Sequence, residues 1–164
     1  MEPHLNHPIK EINNATFFAL LEKELADRKS VRFRVKGISM QPLLRNNRDE
    51  VQLVQCGKEP LHPGDICLFK YQGRHILHRY VKDENGMLYF QGDNVLNRYE
   101  CCRQEDVVGV VQKIYRDGQS LPPLTKAWKI RIGMHRCKQR IRYAITSHIP
   151  DSLKQKLKKL LRMN

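Results

Sequence analysis

Hydrophobic positions along the chain follow two different periods. From Asn14 to Arg28, Phe17, Leu20, Leu21 and Leu25 recur at helical spacing while Glu22, Lys23, Glu24 and Asp27 take the remaining positions. With Asn14 placed to cap the first turn, this pattern predicts an amphipathic helix. From Val31 the pattern breaks into short pieces rich in β-branched and aromatic residues: Val31–Lys36, Glu50–Gln55, Asp65–Tyr71, His75–Lys82, Met87–Gln91 and Val107–Tyr115. Turn sequences separate them, at Asn46-Asn47, His62-Pro63-Gly64, Gln72-Gly73, Glu84-Asn85-Gly86 and Asp117-Gly118. Short strands in close succession predict a mainly β protein with a barrel or sandwich core. Leu121-Pro122-Pro123-Leu124 ends the pattern, because consecutive prolines lack the N–H donors a sheet needs. A mixed basic and apolar stretch then runs from Lys126 to Ile145, and after Pro150 a last helix is predicted from Asp151, with Leu153, Leu157, Leu160 and Leu161 on one face. The organisation read from the chain is a helical segment over 1–30, a β core over 31–120, and a linker with a basic helical tail over 121–164.

Composition narrows the class. A chain of 164 residues suits one domain, and 40% hydrophobic with 29% charged residues excludes both wholesale disorder and life in lipid. The longest apolar runs, Ala15 to Leu21 (broken by Thr16) and Val107 to Val111, fall well short of the roughly 18–20 residues of a membrane span. Met1 to His7 lacks the pattern of a secretory signal, so the expected location is the cytoplasm. Five cysteines without a CxxC pair point to reduced thiols; Cys101-Cys102 is the only adjacency that offers metal or redox chemistry, and neither metal nor cofactor is expected. Of the net charge of +13, residues 126–164 carry +11, with twelve Lys or Arg against one acid. That tail can contact an anionic membrane peripherally, pack on the protein with a solvated basic face, or bind nucleic acid, for which its aromatics are scarce.

Three stretches carry candidate chemistry. Gly37-Ile38-Ser39-Met40-Gln41-Pro42 presents a serine between a flexible glycine and a stiffening proline. In the strand His75 to Tyr80, His78 shares a face with Ile76 and Tyr80, while Leu77 and Arg79 point the other way. Gly92-Asp93-Asn94 closes the next strand and can turn a carboxylate back toward the sheet. Taken singly, these are a turn serine, a core histidine and an Asx turn. Together they supply the nucleophile, base and acid that acyl transfer requires.

The order Gly-x-Ser-Met-x-Pro, Pro-Gly-Asp-Ile-x-x-Phe, Ile-Leu-His-Arg-Tyr-Val, Gly-Asp-Asn and Val-Val-Gly-Val-Val, over about Val31 to Arg116, resembles the S24/S26 serine peptidases, the group of type I signal peptidases and LexA-like repressor proteases. The resemblance implies a LexA/signal-peptidase-like β core with Ser39 as nucleophile. It is closest to the endoplasmic-reticulum and archaeal branch, which uses histidine where many bacterial relatives use lysine, so it implies His78 as base; Lys70 and Lys82 do not fit that slot. In that branch a second Asp often follows the Gly-Asp-Asn aspartate by six residues. Tyr99 stands there, which leaves Asp93 as the acid. Gly37 occupies a position where some bacterial relatives carry an oxyanion-binding serine, so the oxyanion falls to the backbone at Ser39 and Gly37 with a further donor. Met40 and Pro42 are substrate-pocket candidates, and small residues such as Ala are expected beside the cut.

The function so implied is a serine endopeptidase that cuts another polypeptide, in signal- or leader-peptide-type processing, through Ser-His-Asp chemistry. Self-processing of the LexA kind is disfavoured, since the only small-residue bond of the required type, Cys56-Gly57, follows Ser39 and no DNA-reading module is apparent. The alternative class is a non-enzymatic β-fold binding module whose basic tail contacts membrane or nucleic acid.

Overall fold

Two-residue turns set much of the topology. The computed structural model describes residues 14–57, 59–121 and 126–147. Its elements are α1 (Asn14–Ala26), β1 (Val31–Arg34), β2 (Glu50–Val54), β3 (Ile66–Tyr71), β4 (Arg74–Glu84), β5 (Met87–Gln91), β6 (Glu100–Cys102), a 3-10 turn (Gln104–Asp106), β7 (Val107–Arg116), β8 (Gln119–Leu121) and α2 (Lys126–Ser147). Gln72-Gly73, Asn85-Gly86 and Asp117-Gly118 have positive φ at both residues. That backbone joins antiparallel strands without opposing their twist, and here it closes the β3–β4, β4–β5 and β7–β8 hairpins. The sheet is antiparallel throughout, in the order β1-β2-β7-β3-β4-β5-β6 with β8 also on β7, and it curls into a half-barrel.

Strand alternation gives this sheet two buried faces. Ile66 and Leu68 of β3 enter one core with Leu21 and Leu25 of α1, Val51, Leu53, Val111 and Ile114. Cys67 and Phe69, at the alternate positions, enter a second with Tyr80, Phe90 and Cys102, where the Phe69 and Phe90 rings stack 4.1 Å apart. Val35, Met40, Leu43 and Leu44, from the loop between β1 and β2, fill the first core and so anchor that loop. Helix α1 is fastened by Glu22, whose carboxylate meets Lys70 Nζ and His75 Nε2, each at 2.8 Å.

All six predicted strands are present, their ends displaced by at most two residues. The three-residue β6 and β8, too short for an alternation to register, were not predicted, and α1 ends two residues early. The stretch predicted to be mixed basic and apolar is the helix α2, whose Ile132 is buried in the first core. The predicted helix from Asp151 lies outside the described residues. Among those described, no helix is long and apolar enough to cross a membrane.

Candidate active site

Ser39 lies in the loop between β1 and β2, and several ties hold that loop. Gly37 has φ +103, a conformation that side chains oppose, and its N–H donates to Asn46 Oδ1 at 2.8 Å. At the loop's exit the buried Asp49 carboxylate accepts from Arg116 Nε and the Arg45 N–H, each at 2.9 Å, and from Arg116 Nη2, which also donates to Leu43 O at 2.8 Å. Burial pushes the Asp49 carboxyl up, but the Arg116 and Arg45 hydrogen bonds and the Arg116 charge outweigh it, leaving it below the usual carboxylate range. A guanidinium from β7 therefore pins the loop from below.

Gly92-Asp93-Asn94 holds the same loop from the other side. A Cβ on Gly92 would lie 2.7 Å from Ser39 O, 2.8 Å from Val95 Cγ2 and 2.9 Å from His78 Nε2. The Ser39 backbone and the His78 ring therefore meet over this glycine, no farther apart than the first and last of those distances combined. The Asn94 N–H donates to Ser39 O at 2.8 Å and its Nδ2 to Ile38 O at 3.1 Å. On its other side Asn94 Oδ1 accepts from His135 Nε2 at 2.9 Å and from Gln139 Nε2, both on α2.

His78, only 4% exposed, sits opposite Cys67 of β3. Its Nδ1 lies 2.9 Å from Oε2 of Glu100, which is 1% exposed. A carboxylate accepts, so Nδ1 carries the hydrogen, and Nε2 keeps its lone pair on the side that faces Gly92 and Ser39. Glu100 Oε1 is taken by Arg98, through Nε at 3.1 Å and Nη2 at 2.9 Å. Burial pushes the imidazole below its ordinary value, and the Glu100 hydrogen bond and charge, aided by the charge of Asp93, offset only part of that.

Asp93 does not hold His78, contrary to the expectation above. Its two oxygens accept from Arg79 Nε at 2.8 Å and Nη2 at 2.7 Å, and Arg79 Nη1 reaches Gly64 O. The cause is strand parity: His78 and Arg79 are consecutive in β4, so their side chains leave opposite faces. Asp93 meets the arginine and Glu100 meets the histidine. Glu100 was missed because the spacing rule ended on Tyr99, one residue before it. As the only acid between Asp93 and Glu105, it was the available signal.

A cavity of about 320 Å³ joins Gly37, Ser39, Met40, His78 and Glu100, and Val35, Leu44, Leu77 and Val95 make its wall largely apolar. Pro42 does not line it, correcting its assignment as a pocket residue. Met40 and Leu44 line that wall, and the turn between them, closed by the Leu44 N–H donating to Met40 O at 2.9 Å, passes through Pro42 without bringing it into the lining. Lys70 and Lys82 pair with Glu22 and Glu84 away from the cavity.

No protein-family model matches this chain, and no curated protein matches it. Among the described residues no group of three or more His, Cys, Asp or Glu side chains is placed to hold a metal ion. Cys101 and Cys102 are free thiols, the latter buried in the second core, where burial pushes it up to about 12. What the arrangement offers is an imidazole with a fixed tautomer, its pKa pushed down by burial, beside the backbone of a serine that shares its cavity; no hydrogen bond joins the Ser39 and His78 side chains. A serine hydroxyl turned toward Nε2 would meet the lone pair that can take its proton.

Proposed function

We propose that the chain is a serine endopeptidase of the S24/S26 type, acting on another polypeptide, with Ser39 as nucleophile, His78 as general base and Glu100, in place of Asp93, as the acid that orients the base. The reading rests above all on one observation: His78 Nε2 and the backbone carbonyl of Ser39 approach the same point over Gly92, which sets the serine beside the ring, while a buried carboxylate holds Nδ1. The mainly β fold, with Ser39 on the loop after β1 and His78 on β4, agrees with the β core that the resemblance implies.

In this mechanism Nε2 removes the Ser39 hydroxyl proton as Oγ attacks the substrate carbonyl, and Glu100 stabilises the imidazolium that forms. The imidazolium then gives that proton to the departing amine, leaving an acyl-enzyme. Water, deprotonated by the same nitrogen, releases the acid and restores the serine. The resemblance implies small residues such as Ala beside the cut, and Val35, Met40, Leu44, Leu77 and Val95 give the cavity an apolar wall for them. A fluorophosphonate probe tests the core of the proposal without a known substrate. Ser39 is expected to become labelled in the wild-type protein and not in His78→Ala. Folded wild-type protein that resists the probe, or undiminished labelling in His78→Ala, would overturn the assignment.

A further inference from the structure

Helix α2 turns its polar side toward the protein and its apolar side toward water. His135, Arg136 and Gln139 face the body, where they reach Asn94 and Asp93, and Ile132 is buried beside them. On the opposite side Ile130, Met134, Cys137 and Ile141 recur at spacings of four, three and four, which lines them up along one stripe. Ile130 and Met134 are each 62% exposed and Ile141 56%. Arg131, Lys138 and Arg142 run along one flank of the stripe and Arg140 along the other, and the helix contains no acid. An ordinary surface helix has the reverse polarity, apolar inward and charged outward.

We infer that α2 is an interfacial helix that docks the protein on an anionic lipid surface. An apolar ridge bordered by cations matches the boundary between acyl chains and phosphate headgroups, where the ridge sinks in and the cations meet the phosphates. The helix is not apolar enough to cross, so it lies in the surface plane. A second copy fits poorly, because two such cationic faces of a +13 chain would repel each other. Nucleic acid fits poorly as well, since the centre of the face is aliphatic where phosphates would need charge. Docking in this way carries the Ser39 loop, held through Asn94 on the far side of α2, about one helix diameter, some 10 Å, from the lipid.

Cosedimentation of the full chain with phosphatidylcholine vesicles, with and without phosphatidylglycerol, tests this. Binding is expected with the anionic lipid, to fall with added salt, and to be weak without it. The variant Ile130→Ser/Met134→Ser/Ile141→Ser is expected to melt like the wild type and to bind at least about tenfold more weakly. The pair Lys138→Gln/Arg140→Gln, which leaves the ridge intact, is expected to cost about thirtyfold at low salt. Wild-type affinity in the triple serine variant would overturn the proposal, as would tighter binding to single-stranded RNA than to anionic vesicles. Self-association abolished by the serine substitutions, without vesicle binding, would also overturn it and make a second copy the occupant.

Discussion

Two buried carboxylates lie near His78, and exchanging each for its amide separates their roles. Glu100→Gln keeps the shape of the side chain. Arg98 presents two N–H donors to Oε1, so the amide oxygen stays on that guanidinium and the NH2 turns toward His78 Nδ1. Nδ1 must then accept, and the ring hydrogen moves to Nε2, the nitrogen that faces Ser39. A base protonated on its working nitrogen cannot take the serine proton, and the expected loss is about 10³–10⁴ in rate, or about 4–5.5 kcal/mol of barrier. Asp93→Asn instead removes the partner of a buried guanidinium, whose two hydrogen bonds are 2.7 and 2.8 Å. Its main cost is stability, about 3–5 kcal/mol, while the folded fraction keeps its rate within about tenfold. The assay is the second-order rate of fluorophosphonate labelling at about pH 8, where the imidazole is neutral, divided by the folded fraction from circular dichroism melts. Wild-type labelling in Glu100→Gln with labelling abolished in folded Asp93→Asn would refute the reasoning and restore Asp93 as the orienting acid.

Two further outcomes follow from the same geometry. Gly92→Ala places a methyl against the Ser39 carbonyl and His78 Nε2 at under 3 Å, and labelling is expected to fall at least about a hundredfold through misplacement alone; wild-type rates in that variant would mean the two groups are not held together. Because burial lowers the His78 pKa, the acid limb of the labelling rate is expected below 6.5, and a midpoint at or above that value would contradict the buried site. The sign for stability agrees: a histidine with a depressed folded pKa stabilises the protein above its unfolded value and loses that contribution as pH falls through the folded one.

The strands were legible because their turns are. Gln72-Gly73, Asn85-Gly86 and Asp117-Gly118 each have positive φ twice in succession; Gly takes the second place in all three, and Asn and Asp, which tolerate that conformation, take the first in two of them. Alternation placed Ile76 and Tyr80 in one core and Leu77 in the other, as expected from the strand pattern around His78. Long-range partners were not legible. Nothing local in Arg98-Tyr99-Glu100 says that a three-residue strand will pair with β5 and bring its glutamate under the imidazole. The contact of His135 and Gln139 with Asn94 crosses more than forty residues of chain and has no sequence period at all. Pro42 was misjudged for the opposite reason: it is close to Ser39 in sequence, but one turn of backbone carries it off the cavity wall.

Gly-Asp-Asn was read as the source of a catalytic acid, and its three residues are better explained as a clamp. Gly92 lets two groups approach by having no Cβ, Asp93 closes on Arg79 and through it on Gly64, and Asn94 ties the Ser39 carbonyl to α2. None of these contacts moves a proton, yet each bears on where Ser39 or His78 stands. Catalysis by a positioned base falls steeply with displacement, about a hundredfold for an ångström. A residue that only positions can therefore be as indispensable as one that reacts. The Arg79–Asp93 pair illustrates the division of labour. With both carboxylate oxygens hydrogen-bonded by one guanidinium, its geometry is fixed, which suits a structural tie. Glu100 instead divides its oxygens between an exposed arginine and a buried imidazole that acquires charge only when it accepts a proton. Only the second arrangement grows stronger as the proton moves, and an acid that assists a base must have that property.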